Sequence, residues 1–281
     1  MKTVTVIIPV YLTSLSQDEE LSFRRTLKIL KGYPITLICP KSLNLSVYEE
    51  LAEKENKKIY TERFNDNYFN GIEGYNRLML SYEFYHRFES YEYILICQLD
   101  AYIFKDELLK WCEKGYDYIG APLIGRYEDT VFSDNMRVGN GGLSLRKVNT
   151  YMQFFQSKKN VFTIKQIADR IQLGKKPYTR IFVLLLMTLG WKNKPVSVAK
   201  GWTYNVTKGW TYNEDDFWSG LLANSNYSLS MPSPTEAMQF SFERFPSELY
   251  ELNHHQLPFG CHAWKKYQYE SFWSKFIHNG E

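Results

Sequence analysis

The sequence predicts an α/β fold built on a mostly parallel β-sheet. Short apolar runs that are rich in β-branched residues alternate with helical patterns across the first half of the chain. Several of these runs are apolar throughout, which is typical of strands buried on both faces of a sheet. With 281 residues, of which 44% are hydrophobic and 23% charged, the chain can bury a sizeable core, and this composition excludes a disordered protein.

Strands are predicted where the short apolar runs meet a proline or a polar turn. In chain order, these runs are Val4–Val10, Ile35–Cys39, Lys58–Tyr60, Tyr93–Cys97 and Gly141–Arg146. Because the runs alternate with helices, we expect most of the strands to pair in parallel.

Helices are predicted between the strands. Two pairs with the spacing of a capping box begin the first two helices, namely Ser16 with Glu19 and Ser46 with Glu49. We expect these helices to run to about Leu30 and Lys54. A third helix is predicted over about 73–88, where aromatic and aliphatic residues mark one face. A short fourth helix is predicted between a cap at Asp106 and an end at Gly115.

Cysteine usage and hydropathy indicate the compartment. The four cysteines form no close pair and no CxxC motif, and we interpret them as buried thiols of a protein in a reducing environment. The N-terminal run lacks the cleavage site of a signal peptide. No stretch reaches the roughly 18 apolar residues that a membrane-spanning helix requires. A cytoplasmic protein is therefore predicted.

Charge is distributed unevenly along the chain. The basic segment 146–200 holds twelve basic residues and one acidic residue, a net charge of +11 in a chain whose total is +3. Such segregation indicates an anionic partner. The same segment contains the apolar block Ile181–Leu189, which is either a core helix or a membrane-facing helix. The hexapeptide KGWTYN follows in two copies, at Lys200–Asn205 and Lys208–Asn213, and we interpret it as a local duplication that lengthens an aromatic loop.

Four segments carry residues suited to chemistry. Asp100 comes directly after a predicted strand, at the edge where open α/β sheets bind ligands, although it is equally suited to capping a turn. Three glycines surround Asn140 and permit close approach of the backbone to a ligand, but a glycine-rich turn into a strand has the same pattern. His262 lies in the loop LPFGCHAW, and the sequence around it does not complete a zinc site.

The fourth segment is the acidic tripeptide Glu214–Asp216, which precedes a predicted helix at Phe217–Leu222. A carboxylate at a helix N-terminus is either a cap or a general base held by the backbone. In this interpretation Asp216 is the cap and Asp215 the base. Trp202 and Trp210 precede the tripeptide and suit stacking on the faces of a sugar.

Taken in order, the motifs LDAYIF, YDYIGAPL, VGNGGLSLR, EDDFW and LPFGCHAW resemble those of GT-A-fold glycosyltransferases, in particular an uncharacterised and mainly bacterial family. The resemblance covers roughly residues 3–265. It implies one GT-A-like domain over 1–281, with a mostly parallel nucleotide-binding sheet flanked by helices. Residues 1–145 would bind the nucleotide sugar, and 146–281 would form an acceptor part with a basic, aromatic helical region.

The same resemblance implies roles for individual residues. Asp100 and His262 resemble the ligands of a divalent cation, Mn²⁺ or Mg²⁺, that bridges the donor diphosphate. Asp215 resembles the general base of inverting members, and Glu214 the residue beside it that binds hydroxyl groups. Gln98 stands where the family's DxD motif begins with Asp, so one formal charge is missing. Further donor-binding residues implied by the resemblance are Pro9, Val10, Tyr11, Asn76, Arg77, Pro122, Asn140, Gly141 and Gly142.

The function that follows is metal-dependent, inverting transfer of a hexose or N-acetylhexosamine from a UDP sugar to a glycan or lipid-linked saccharide. The acceptor would contact Trp202 and Trp210, the basic segment would lie at the anionic inner membrane surface, and no nucleic-acid partner is expected. Two other classes remain open. A glycoside hydrolase would use two carboxylates that flank the bond. A non-catalytic protein would bind nucleic acid or another anionic surface through the basic segment.

Overall fold

The computed structural model describes residues 2–123, 137–163 and 213–278, together with the single positions 181, 185 and 189. Trp202, Trp210, nearly all of the KGWTYN repeat and most of the basic segment 146–200 lie outside the described residues. The division of one domain into 1–145 and 146–281 stays a prediction.

The strands of the described residues form three sheets. In chain order they are β1 (Lys2–Pro9), β2 (Ile35–Pro40), β3 (Ile59–Phe64), β4 (Tyr91–Cys97), β5 (Ala101–Ile103), β6 (Tyr118–Gly120), β7 (Pro122–Leu123), β8 (Arg137–Val138), β9 (Leu143–Lys147), β10 (Ser241–Phe242) and β11 (Gly260–His262). The central sheet has the order β3-β2-β1-β4-β9-β6, a second sheet has the order β10-β11-β5, and β7 pairs with β8.

The helices of the described residues flank these sheets. They are α1 (Gln17–Ile29), α2 (Ser46–Lys54), α3 (Gly71–Met79), α4 (Tyr82–Arg87), α5 (Leu108–Glu113), α6 (Val148–Gln156), α7 (Pro234–Phe240) and α8 (Pro246–Leu252). None of the helices in this part of the chain has both the length and the apolar character that crossing a bilayer demands.

The central sheet confirms the predicted α/β class. β1, β2, β3 and β4 pair in parallel, whereas β9 runs antiparallel to both β4 and β6. Because β9 is reversed, its first residues lie at the carboxyl edge of β4, and Leu143 pairs with Cys97. The Gln98 N–H donates to the Gly142 carbonyl at 2.9 Å. This pairing brings the glycines before β9 to the edge where β4 ends.

The core occupies both faces of the central sheet. All six residues of β2 are buried, as its continuous apolar sequence predicts. One face packs against α1, α2 and α5, and the other packs against aromatic side chains of α4, α6 and the segment after residue 215. A third cluster surrounds the second sheet, and it includes Trp264 and Trp273. All four cysteines are buried and free, as predicted.

Several predicted element boundaries are wrong for local reasons. The helix predicted over 73–88 is two helices, because Ser81 adopts an extended conformation and its side chain accepts the Phe84 N–H, which starts α4. Ser46 does not cap α2, since it is already helical and its own N–H donates to Asn44 Oδ1 at 2.9 Å. Asp106 does not cap α5 either, and instead accepts a hydrogen bond from the Tyr33 hydroxyl at 2.8 Å.

Candidate active site

Asp100 and His262 lie side by side at the carboxyl edge of the central sheet. Asp100 directly precedes β5, and His262 is the last residue of β11. These strands pair antiparallel with Ala101 opposite His262, which brings the imidazole to the Asp100 carboxylate. Asp100 Oδ1 is 3.2 Å from His262 Nε2, and the side chains are 51% and 12% exposed, respectively. The structure therefore brings together the two residues that resemble metal ligands.

Glu243, which the sequence did not single out, holds the second nitrogen of the His262 ring. Its Oε1 is 3.2 Å from His262 Nδ1, and its Oε2 accepts a hydrogen bond from Asn140 Nδ2 at 2.8 Å. β10 and β11 pair in parallel with Phe242 opposite Cys261, so Glu243 follows in register with His262. A carboxylate on the second ring nitrogen fixes the orientation of a metal-binding histidine.

The charges of this pair shift both pKa values in the direction of an ion pair. Burial lowers the pKa of His262, but the carboxylates of Asp100 and Glu243 outweigh it and raise the value to about 10. Burial raises the pKa of Asp100, and the neighbouring His262 outweighs this effect, so that the Asp100 pKa lies below its usual value. The site is therefore strongly polarised, with an ionised carboxylate at its exposed side.

Gly141 and Gly142 separate this pair from Asp215. A Cβ atom on Gly142 would lie 2.0 Å from His262 Nε2, and one on Gly141 would lie 3.3 Å from the Asp215 Cβ. The Gly141 N–H donates to Asp215 Oδ2 at 3.0 Å. The glycine pair thus lets His262 and Asp215 approach the same stretch of backbone from two sides.

Asp215 is a buried carboxylate with a perturbed pKa. Only 7% of the Asp215 surface is exposed. Burial, Glu214 and Asp216 raise its pKa to about 7, although the N–H groups of Gly141 and Asp216 lower it by hydrogen bonding. A carboxylate that titrates near neutral pH is suited to general base catalysis. This property of Asp215 is independent of the sequence resemblance.

The helix predicted after Asp215 differs in type and cap. Residues Asp216–Gly220 form a π-helical turn, followed by a 3₁₀ turn at Leu221–Asn224. Asp215, not Asp216, is the N-cap, and its side chain accepts the Asp216 N–H. Asp216 instead pairs with Arg137, with Arg137 Nη2 3.0 Å from Asp216 Oδ1. The assignment of Asp216 as the cap was therefore wrong.

Glu214 and Tyr75 occupy the buried side of the site. Glu214 is 3% exposed, and both of its carboxylate oxygens accept hydrogen bonds from Arg146, a residue that the sequence analysis did not single out. The Tyr75 hydroxyl is buried and makes no well-formed hydrogen bond among the described residues, although Gln98 lies close enough to lower its pKa. Burial raises the Tyr75 pKa, and so does the nearby charge of Glu214. An orphaned hydroxyl at this position is available to a bound ligand.

The other residues implied to bind the donor are spread along the same edge. Gln98 Oε1 is 3.2 Å from His262 Nε2, and Asn76 Oδ1 accepts the Glu214 N–H at 3.1 Å. Arg77 pairs with Glu73 at 2.9 Å on the exposed side of α3, and it also donates to the Asn67 carbonyl at 3.0 Å.

The residues at the end of β1 differ in exposure. Pro9 and Val10 are buried, whereas Tyr11 is 54% exposed. Burial raises the Tyr11 pKa, and the charges of Glu19 and Asp100 raise it further. Pro122 is buried in β7 opposite Val138. Tyr11 is therefore the one of these side chains that faces solvent close to Asp100.

The residues at this edge fit a divalent cation that shares its coordination with a ligand. Within the described residues, no group of three or more His, Cys, Asp and Glu side chains is placed to hold a metal ion. The protein would supply the pair Asp100 and His262, whose 3.2 Å separation suits neighbouring ligands of an octahedral ion with bonds of about 2.1 Å. Diphosphate oxygens and water commonly complete such sites. Glu243 provides the outer carboxylate that a metal-bound histidine requires.

The sequence was compared with protein-family models and with curated proteins. A family model described as "Protein of unknown function (DUF5672)" matches residues 58–262. This span contains Asp100, Arg146, Asp215 and His262. No curated protein matches the sequence at a significant level.

Comparison with solved structures identifies the fold. An active-site mutant of LgtC matches with a TM-score of 0.50 and 11% identity over 92% of this chain and 86% of that chain. The glycosyltransferase GlyE of Streptococcus pneumoniae TIGR4 matches with a TM-score of 0.47 and 10% identity over 94% of this chain and 55% of that chain. S. aureus TarS 1-349, in complex with UDP-GlcNAc, matches with a TM-score of 0.31 and 14% identity over 53% of this chain and 46% of that chain.

The match to LgtC covers most of both chains and shows a GT-A-like fold, a mostly parallel central sheet flanked by helices. The chain spans only about half the length of the TarS and GlyE chains that it matches.

Proposed function

Since the chain belongs to the DUF5672 family, whose function is unknown, we propose its activity from the geometry of its site: it is a glycosyltransferase. The observation that carries this proposal is the placement of Asp215 and of the pair Asp100 and His262 around Gly141 and Gly142. A base and a cation-binding pair thereby share one edge of a GT-A-like sheet. The donor in this proposal is a nucleotide sugar, with UDP as the nucleotide and a hexose or N-acetylhexosamine as the sugar.

In this proposal, the donor diphosphate binds beside Asp100 and His262. Asp100 Oδ1 and His262 Nε2 would hold Mn²⁺ or Mg²⁺, and Glu243 would keep the imidazole in place through Nδ1. When bound, such an ion neutralises the negative charge that grows on the diphosphate leaving group. Gln98 lies beside His262 and is placed to donate a hydrogen bond to ribose or to a metal-bound water.

Asp215 takes the proton of the acceptor. The acceptor hydroxyl oxygen attacks the anomeric carbon, the bond from that carbon to the diphosphate oxygen breaks, and the nucleoside diphosphate leaves with the electron pair. The hydroxyl proton passes to the Asp215 carboxylate, whose pKa of about 7 keeps a substantial fraction ionised at neutral pH. One base and one displacement give inversion at the anomeric carbon.

The acceptor side of the proposal depends on the second half of the chain. A glycan or a lipid-linked saccharide would stack on Trp202 and Trp210, which lie outside the described residues. Attachment of the basic segment to an anionic membrane would bring a lipid-linked acceptor to the site. Of the apolar block Ile181–Leu189, the described positions Ile181, Leu185 and Leu189 are 68%, 55% and 75% exposed, which favours the membrane-facing interpretation over the core helix.

The test combines donor binding with turnover. Wild-type protein is screened against UDP sugars by thermal shift with and without Mn²⁺, and UDP release is then measured with the donor that binds. We expect Asp100→Ala to lose the metal-dependent part of donor binding. We expect Asp215→Asn to keep donor binding while kcat falls on the order of 10²–10⁴-fold, because only the proton acceptor is removed.

Asp216→Asn is the matched control for the base, because it removes the neighbouring carboxylate, which pairs with Arg137. We expect it to retain most of the wild-type kcat. Near wild-type activity of Asp215→Asn together with an inactive Glu214→Gln would move the base by one residue. Full activity in excess EDTA would remove the metal from the proposal, and the absence of any bound nucleotide sugar would remove the activity itself.

A further inference from the structure

Arg146 lies in a buried network directly behind Asp215. Its side chain is fully buried, and Glu214 is 3% exposed. Arg146 Nη1 and Nη2 donate to the two oxygens of Glu214 at 2.9 and 2.5 Å, and Nη1 also donates to the Tyr85 hydroxyl at 3.1 Å. The guanidinium stands over the Tyr118 ring, 5.1 Å from its centroid. A buried ion pair of this kind carries a large desolvation cost, which can exceed the attraction between its charges, so stability alone does not account for it.

Two routes connect Arg146 to Asp215. Along the first, Arg146 holds the Glu214 side chain, and Glu214 is joined to Asp215 by a peptide bond. Along the second, Arg146 Nε donates to Ser144 Oγ at 3.1 Å and Ser144 Oγ donates to the Gly141 carbonyl at 3.0 Å. The Gly141 N–H then donates to Asp215 Oδ2 at 3.0 Å. The first route reaches Asp215 through its backbone and the second through its carboxylate oxygen. Together they fix the position of the Asp215 side chain.

Arg146 also balances the charge beside Asp215. The acidic groups that face Asp215 are Glu214 and Asp216, and the phenols of Tyr75 and Tyr118 lie close enough for Asp215 to raise their pKa values. Arg137 pairs with Asp216 at the surface and offsets part of its charge. Arg146 pairs with Glu214 in the interior, where an unpaired carboxylate would raise the pKa of Asp215 further.

We propose that Arg146 is a positioning residue for the base: it holds Asp215 in place through Glu214 and Ser144, and it partly offsets the charge of Glu214. The assignment deepens the proposed glycosyltransferase function and rests on it. Arg146 acts through other residues, so its loss should change the rate and pH dependence of the reaction and leave donor binding unchanged.

Three variants separate the parts of this assignment. Arg146→Lys keeps the charge but cannot bond Glu214 and Ser144 together, so we expect kcat to fall on the order of 10²-fold, with the KM for the donor unchanged. Ser144→Ala removes only the second route and keeps every charge, so we expect a smaller fall in kcat at an unchanged pH midpoint. Glu214→Gln removes the acidic neighbour and leaves Arg146 unpaired, so we expect the pH midpoint of kcat/KM to fall by about one unit.

Arg137→Lys is the matched control, because it makes the same substitution in the surface pair with Asp216. We expect its kcat, KM and pH midpoint to equal those of the wild type. If Arg146→Lys does not fold, Ser144→Ala and Glu214→Gln still decide the question.

A second measurement is independent of turnover. The free energy of unfolding is measured across pH 4–9 for the wild type and for Glu214→Gln. Each is compared with the same protein carrying the additional substitution Asp215→Asn. A native pKa raised above the unfolded value makes the stability conferred by Asp215 decline as pH rises, until the native pKa is passed. We expect this decline to end near pH 7 in the wild type and at a lower pH in Glu214→Gln.

The two readouts distinguish the proposals. A wild type that turns over no nucleotide sugar overturns the proposed function, whatever the unfolding data show. An active wild type whose kcat is unchanged by both Arg146→Lys and Ser144→Ala overturns the positioning role. An Asp215 midpoint that Glu214→Gln does not lower overturns the charge balance.

Discussion

Asp215 differs from its two acidic neighbours in its surroundings. Glu214 pairs with Arg146, Asp216 pairs with Arg137 at the surface, and the buried carboxylate of Asp215 accepts hydrogen bonds from the N–H groups of Gly141 and Asp216. The sequence places three carboxylates at the start of a helical turn, and burial together with the charges of Glu214 and Asp216 raises the pKa of Asp215. We therefore expect the pH dependence of the reaction to report on Asp215.

The pH profile of kcat/KM is the first prediction. Asp215 must be ionised to accept a proton, so activity should rise with pH and level off above the native pKa of about 7. Asp216→Asn should lower the midpoint, because the charge of Asp216 contributes to the raised pKa. Turnover is measured from pH 5 to 9 at saturating metal. A midpoint near 4 would contradict the assignment, because it would require a solvent-exposed carboxylate as the base.

Tyr75→Phe is the second prediction. The substitution removes a buried hydroxyl that has no protein partner among the described residues, so the free energy of unfolding should not fall. If the hydroxyl binds the donor, the KM for the donor should rise about 5–10-fold, which corresponds to the net value of one hydrogen bond. Tyr93→Phe is the control, since its hydroxyl is also buried without a partner but Tyr93 packs in the core cluster on the α1 side of the sheet. A KM unchanged by Tyr75→Phe would contradict the donor contact.

Much of the site could be predicted from the sequence, and the missing residues share a physical reason. Asp100, Asp215 and His262 each follow a recognisable strand or turn, and the structure places them at one edge. Glu243 and Arg146 could be assigned to the site only from the structure, because their positions depend on the pairing of strands that are distant in sequence. The signal for Glu243 was the short apolar alternation FSF before it, which gives no register. Arg146 was counted among the basic residues of a segment that was expected to meet an anionic partner, yet its side chain is fully buried.

At the scale of the element, the same sequence signal has different outcomes. Ser16 and Glu19 form the predicted capping box, with the Ser16 backbone extended at ψ 163°. Ser46 and Glu49 have the same spacing and form none, because Asn44 accepts the Ser46 N–H and helical geometry begins one residue earlier. Five of the six strands of the central sheet were predicted, because their apolar runs are a local property, whereas β6 and the short strands of the other two sheets were missed. The reversed direction of β9 depends on its pairing with β4.

The reversed β9 strand leads to the third prediction. Its approach brings Gly142 against His262, and a Cβ atom there would lie 2.0 Å from Nε2. Gly142→Ala should therefore displace the imidazole and weaken Mn²⁺ and donor binding at least tenfold, measured by calorimetry. Gly32→Ala is the matched control, because no atom lies within 4 Å of the added Cβ and binding should be unchanged. Wild-type Mn²⁺ affinity in Gly142→Ala would show that His262 is not a ligand.

At the scale of the whole molecule, charge and apolar surface coincide in one part of the chain. The basic segment 146–200 has a net charge of +11, whereas the whole chain has a net charge of +3, so the rest of the chain is acidic overall. Within this segment, Ile181, Leu185 and Leu189 recur every four residues and are all more than half exposed. Residues four apart share a face of a helix, and segments that combine an exposed apolar face with a high positive charge are typical of attachment to a membrane interface.

The fourth prediction is attachment of the protein to anionic membranes through this segment. A basic residue near an anionic leaflet contributes about 1 kcal/mol, so neutralising Lys175, Lys176 and Arg180 should weaken binding roughly 100-fold. Liposome flotation measures this: binding should require anionic lipid and decrease with salt, because the attraction is screened. Neutralising the exposed residues Lys28, Lys31 and Lys54 is the control, since it removes the same charge from the opposite half of the chain and should leave binding unchanged. Equal recovery with neutral and anionic vesicles, or recovery with neither, would contradict the attachment, and the acceptor would then be sought among water-soluble glycans.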